Sequence, residues 1–345
     1  MHMLFGTLPL PLPLPLPLLL ALLLALLGLM PAHAQLGAAD CRPEQQGQAQ
    51  LQVLRPGLHT VQGTLAGFDP CQASVRFRLP QNSVKPPLMI SLHGGGGIKD
   101  VLGSDQAFFE HGMATLTFDA YDMNRFTGRG SLFWARQVSN EARQRMLLST
   151  AWAAYQWAIQ RKDIDTRQIY IFGISNGAAV AANLAAMVDP QHVRGVIAEG
   201  ITPVGLGLPD QTRVPLLLAF GRLDDFGASD PKMMRWLLSD TCRFNVRFEL
   251  APPGSAQRCN GSSGPADMTP NPLAWVDSIK VRSAPIEIAY FENMAHNAYF
   301  GPLVQQRATW GSGQTLGASL GATPEARAQF FQAMTDFIAR QRRSP

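Results

Sequence analysis

Between Gln168 and Met187 the chain leaves little choice of local structure. Gln168 to Phe172 is a short apolar, β-branched run bounded by Asp165 and Gly173, and the residues from Asn176 to Met187 are rich in Ala and Leu. The first pattern predicts a strand and the second a helix, so the junction between them must be a sharp turn. That junction, Gly173-Ile174-Ser175-Asn176-Gly177, matches G-x-S-x-G. In such a turn the serine is forced into a strained backbone conformation, and glycines two residues to either side let helix and strand approach without side-chain collisions. The Ser175 hydroxyl is then expected at a helix N-terminus, where the macrodipole favours developing negative charge. An ordinary glycine-rich connection could share this sequence, so the reading depends on partner groups elsewhere.

The rest of the chain supplies alternating strands and helices. Leu88 to Leu92, Ala114 to Phe118, Val193 to Ala198, Val214 to Phe220 and Ile286 to Phe291 are largely apolar runs of strand length. Glu141 to Gln160 carries Leu147, Ala151, Ala154, Tyr155 and Ala158 at helical spacing, with Trp152 and Trp157 read as packing residues, and Thr323 to Arg340 predicts a last amphipathic helix. Such alternation predicts an α/β fold with a mostly parallel central sheet flanked by helices. Leu51 to Val53, Leu58 to Val61 and Val75 to Leu79 are expected as antiparallel strands at its start. In the third, Val75, Phe77 and Leu79 alternate with Arg76 and Arg78, the period-two pattern of a half-buried strand.

Four consecutive glycines, Gly94 to Gly97, follow the strand at Leu88 to Leu92 and His93. A flexible surface loop or a phosphate cradle would be alternatives, but the Gly-Lys-Ser/Thr ending of a phosphate loop is missing. Upstream of a serine elbow, the run suits an oxyanion hole made of unobstructed amides, with Gly95 or Gly96 and Asn176 as donors. An α/β hydrolase supplies its triad in the order Ser, acid, His. Only His192 and His296 follow Ser175, and His192 precedes its strand with no strand-end acid before it, which leaves His296 as the base. Asp224, in the turn after Val214 to Phe220, is the expected acid, with Asp225 the adjacent alternative. Asp119 could face the same pocket from its strand end, although capping of the next loop suits it better.

The first 34 residues differ in kind from this core. Leu8 to Ala34 has no charged residue, and Ala32 and Ala34 form an A-x-A site, which predicts a secretory signal peptide over residues 1–34 cleaved before Gln35. The start lacks the usual Lys or Arg. An uncleaved anchor would compete, but prolines from Pro9 to Pro17 leave too short an apolar segment to span a bilayer, so no stable membrane anchor is expected after cleavage. Behind such a leader, Cys41, Cys71, Cys242 and Cys259 suggest two disulfides, with the local pairs Cys41 to Cys71 and Cys242 to Cys259 preferred, in a secreted or periplasmic protein. The net charge of +4 comes from scattered basic residues, which argues against nucleic acid, and no ligand spacing suggests a metal.

Together these residues resemble secreted α/β hydrolases of the dienelactone hydrolase and polyhydroxybutyrate depolymerase or feruloyl esterase type, over roughly Leu88 to His296. The likeness is greatest from Ile164 to Gly177, and Leu92-His93-Gly94 and Gly221 to Asp224 resemble the family's oxyanion strand end and acid turn. The resemblance implies a catalytic domain over 35–345, a triad of Ser175, Asp224 and His296, no cofactor, and hydrolysis of a small-molecule or polymeric ester through an acyl-enzyme. Polyester depolymerase or acyl-polysaccharide esterase activity, serine peptidase activity, and a non-catalytic binding role are the alternatives. Dienelactone hydrolases proper carry cysteine at the elbow, and residues 230–283 are a long insertion expected to form a lid or pocket wall.

Overall fold

Leu88–Leu92, Ala114–Phe118, Ile169–Ile174 and Leu216–Gly221 are buried along their entire lengths. Strands behave this way when a parallel sheet is covered on both faces. The computed structural model describes residues 67–81, 83–124, 140–201, 205–228, 272–309 and 315–343. Within them runs a seven-stranded sheet. Its strands are β1 (Val75–Arg78), β2 (Leu88–Leu92), β3 (Ala114–Phe118), β4 (Ile169–Ile174), β5 (Val193–Glu199), β6 (Leu216–Gly221) and β7 (Ile286–Phe291). The spatial order is β1-β3-β2-β4-β5-β6-β7, and every pair is parallel except β1 with β3. This is the α/β architecture expected from the sequence. The expected signal peptide, Cys41, Cys242, Cys259, the two earliest expected strands and residues 229–271, which hold most of the expected 230–283 insertion, lie outside the described residues.

Six helices flank the sheet within the described residues: α1 (Leu102–Glu110), α2 (Ala120–Met123), α3 (Asn140–Ala158), α4 (Asn176–Met187), α5 (Pro272–Ile279) and α6 (Pro324–Arg343). Strand period two sorts the core into two layers. Ile90, Ile171 and Leu218 join Leu147, Trp152 and Trp275 on the face covered by α3, α4 and α5. Met89, Phe172 and Leu217 join Phe108, Phe330 and Phe337 on the face covered by α1 and α6. Trp152 and Trp157 are buried packing residues, as read from their helical spacing. A short antiparallel ribbon, β8 (Arg307–Thr309) with β9 (Thr315–Gly317), lies between β7 and α6 in the chain.

One local expectation is corrected. Arg78 does not alternate outward on β1 but is only 4% exposed. Its guanidinium donates to Asp105 Oδ2 at 2.6 Å and to Gln106 Oε1 at 2.7 Å, while Thr117 donates to the other Asp105 oxygen at 2.6 Å. Pairing and full hydrogen bonding offset the desolvation of the charge, and they fasten the single antiparallel strand to α1.

The chain passes from β2 to β3 on one side and returns to β4 on the other, so the strand order reverses between β2 and β4. Open parallel sheets present their crevice at such a point, beyond the carboxyl ends of the strands. Leu92 is directly opposite Gly173 there, which places the glycine run after β2 beside the serine turn after β4. The approach is close enough to exclude side chains. A Cβ on Gly177 would stand 2.2 Å from the Leu92 carbonyl oxygen, and one on Gly173 would stand 2.2 Å from the Gly177 oxygen. Gly177→Ala is expected to lower stability in urea unfolding by about 1–3 kcal/mol, whereas Gly301→Ala, where a Cβ meets nothing within 4 Å among the described residues, should stay within about 0.5 kcal/mol of wild type.

Candidate active site

At the carboxyl end of β4 the chain turns into α4 through Ser175, whose φ of 57° and ψ of −115° lie in a region that residues with a Cβ rarely occupy. Two backbone bonds hold that conformation. The Ser175 N–H donates to the Glu199 carbonyl at 2.9 Å, and the Ser175 carbonyl accepts from Ala178 N–H at 3.0 Å as α4 begins. The turn therefore belongs to two strands and a helix at once. Rigid surroundings of this kind are what allow a strained residue to persist.

Two strands further on, the turn after β6 carries Asp224 and the loop after β7 carries His296. Asp224 Oδ2 and His296 Nδ1 are 2.9 Å apart, and both side chains are almost wholly buried. Because a carboxylate faces Nδ1, that nitrogen carries the proton and Nε2 is left with its lone pair. The His296 loop is shaped by Asn293 and Asn297, which adopt φ of 54° and 56° on either side of the histidine. Asparagine tolerates this left-handed region better than most residues. Gly321 N–H donates to the His296 carbonyl at 2.9 Å, and the Phe226 ring stacks on the imidazole with centroids 4.6 Å apart.

Asp225, the alternative acid, faces elsewhere: its Oδ1 accepts the Ser319 N–H at 3.0 Å and braces the segment after β9. His192, the histidine set aside in the sequence, bonds the Thr166 carbonyl at 2.9 Å beside the start of β5. Asp119 is a cap, its Oδ1 accepting the N–H groups of Tyr121 and Asp122. Phe291 and Tyr299 pack on Phe330 with centroids 5.2 and 6.3 Å away, while Phe300 is exposed.

The glycine run adjoins the elbow. A Cβ on Gly94 would lie 3.1 Å from Ser175 Cβ, and one on Gly95 would lie 3.8 Å from Asn176 Nδ2 and 4.0 Å from Arg143 Nη1. The two candidate glycines differ in one respect. Gly96 N–H already donates to Asp100 Oδ2 at 2.8 Å, which removes it from the donors available to a ligand. Asn176 opens α4, and the first amides of a helix have no intrahelical partner. His93 stiffens the run from below: its Nε2 accepts Ala120 N–H at 3.1 Å and its Nδ1 meets the Gly94 carbonyl at 2.8 Å.

Several groups around the site carry no sequence motif. Burial raises the Asp100 carboxyl above its ordinary range, against the bond from Gly96 and the nearby His93 and His296. Tyr121 is pushed up to about 12 by burial. Arg143 is lowered by burial, with Tyr121 opposing. Gln144 joins Asn176 Oδ1 at 3.2 Å to Leu206 N–H at 2.7 Å. None of these stands in a pattern that sequence reading could seize on; each matters only through what the fold sets beside it.

No family model matches the chain. Two Escherichia coli proteins, each described as an uncharacterized 31.7 kDa protein in the traX-finO intergenic region, are 32% and 31% identical to it over 129 residues, or 36% of this chain. The aligned part spans 41% of the length of those relatives. Among solved structures, a dienelactone hydrolase-like promiscuous phosphotriesterase from metagenomic libraries aligns over 77% of this chain and 92% of its own, at 14% identity and a TM-score of 0.47. Dienelactone hydrolase from Anabaena variabilis aligns over 82% and 99%, at 13% identity and 0.43. An esterase from the Planctomycetes species Thermogutta terrifontis, with propionate bound, aligns over 76% and 86%, at 12% identity and 0.44. Likeness at this level assigns neither activity nor substrate.

The two aspartates separate by experiment. Asp224→Ala is expected to slow labelling of Ser175 by a fluorophosphonate probe by about 10³–10⁴-fold, since an unanchored imidazole loses its tautomer and orientation. Asp225→Ala should instead lower the melting temperature and slow labelling far less.

Proposed function

We propose that the protein is a serine esterase that cleaves carboxylic esters through an acyl-enzyme, with Ser175 as nucleophile, His296 as base and Asp224 as the acid that orients it. The observation that carries this reading is the buried Asp224–His296 pair at 2.9 Å, joined through Glu199-Gly200 to a serine held in strained elbow geometry: the Glu199 carbonyl holds the Ser175 N–H, and a Cβ on Gly200 would meet both His296 and Asp224. In the proposed reaction His296 Nε2 takes the Ser175 proton as Oγ attacks the ester carbonyl, and Asp224 stabilises the imidazolium that forms. The Asn176 and Gly95 amides receive the negative charge that develops on the carbonyl oxygen. The imidazolium then protonates the departing alcohol, and water activated by the same imidazole releases the acid.

Secretion belongs to the same proposal. Cys71 is disulfide-bonded, with its partner outside the described residues, and a disulfide in a chain of this kind supports an oxidising compartment. Mature protein beginning at Gln35 should hydrolyse p-nitrophenyl esters, and the optimum along the series from acetate to octanoate sizes the acyl pocket. Ser175→Ala should reduce kcat by at least about 10⁴-fold. Equal rates for the variant and wild type on every ester would refute the assignment and turn attention to peptides and to non-catalytic binding.

A further inference from the structure

The dipeptide Glu199-Gly200, at the end of β5, touches every part of the proposed triad, yet it supplies none of its members. The Glu199 carbonyl accepts the Ser175 N–H at 2.9 Å, and the Glu199 carboxyl, through Oε1, accepts the Ala298 N–H at 2.6 Å, two residues beyond His296. Gly200 follows with φ of 55°, and a Cβ there would stand 2.8 Å from His296 Nδ1 and 2.9 Å from Asp224 Oδ2. Among the described residues the second carboxyl oxygen of Glu199 has no hydrogen-bond partner, although the residue is 1% exposed.

We propose that Glu199 is a positioning residue that ties the His296 loop to the Ser175 elbow through the Ala298 amide. The Ala298 peptide is held from both sides, because Arg327 of α6 donates to its carbonyl at 2.9 Å. Without the carboxyl, the Ala298 N–H would be a buried donor with no acceptor, and the loop would shift to hydrate it. This inference rests on the serine esterase reading for its kinetic consequence only; the tie itself is a matter of loop geometry.

The environment suits an uncharged carboxylic acid. Asp224 faces the group from the turn after β6 and Tyr299 from the His296 loop, His296 stands beside the adjoining Gly200, and Arg327 of α6 donates to the Ala298, Gly301 and Ala322 carbonyls. Burial first, and the Asp224 charge in addition, push Glu199 up to about 8 against the bond from Ala298. It is therefore protonated at neutral pH. As pH rises through that value, a second negative charge appears beside Asp224 in a buried site and repels the carboxylate that holds His296, although the Ala298 bond itself strengthens.

Three variants and two readouts test the proposal. Glu199→Ala should lower kcat about tenfold, the worth of one buried unsatisfied amide, with little change in KM. Glu199→Gln, which keeps a neutral acceptor of the same shape, should recover most of that loss. Wild-type kcat should fall as pH rises through about 8, and the Gln variant should keep its rate across the same range. Hydrogen exchange at Ala298 should quicken in Glu199→Ala and not in Glu199→Gln. Glu199→Asp, too short to reach the amide, should behave like the Ala variant. Equal losses in Ala and Gln, no loss in either, or unchanged exchange at Ala298 would overturn the inference. A wild type with no activity on any ester would remove the esterase reading alone and leave the exchange experiment to decide the tie.

Discussion

The close approach of β2, β4 and α4 is the constraint on which the rest depends. A parallel sheet whose order reverses between β2 and β4 has one crevice at that point, and the chain fills it with backbone rather than side chains. Gly173 and Gly177 are there because any Cβ would enter the volume of a neighbouring carbonyl. Their absence of side chains lets α4 sit against the strand ends and turns the Ser175 hydroxyl, the first amides of the helix and the glycine run toward one place. The strain at Ser175 follows from the same packing and is sustained by bonds to β5 and α4.

Around this framework the protein sets several carboxyl groups and gives each a different task through its hydrogen bonds. Asp224 faces His296 Nδ1, Asp225 braces Ser319, Asp100 takes the Gly96 amide, and Glu199 takes the Ala298 amide. Buried like charges repel, and burial disfavours the charged form of a carboxyl. Asp100 and Glu199 are raised, and in both burial is the largest cause. The same logic operates far from the crevice, where Arg78 and Asp105 are buried only because each satisfies the other.

How much of this could be read beforehand follows from the range of each interaction. The helices and central strands were legible because apolar periodicity is a local property: β2, β3 and β7 fall on the expected residues, and α3 begins one residue from its expected start. Arg78 defeated the period-two reading of β1, since an arginine followed by an unknown partner looks the same as one facing water. Gly95 and Gly96 were indistinguishable in the run of four until Asp100 claimed one of their amides.

The sequence by itself determined the elbow turn, the chain order of Ser175, Asp224 and His296, and the α/β class, because a strained serine turn needs its glycines at fixed spacing and strands and helices write their periods into the chain. Only the tertiary structure decided which aspartate meets His296 and which braces a loop, that Phe226 stacks on the imidazole, and that Glu199 links the end of β5 to the His296 loop. Those choices turn on directions and distances between residues some 70 to 100 positions apart. No local pattern encodes them; they exist once the sheet has closed around its crevice.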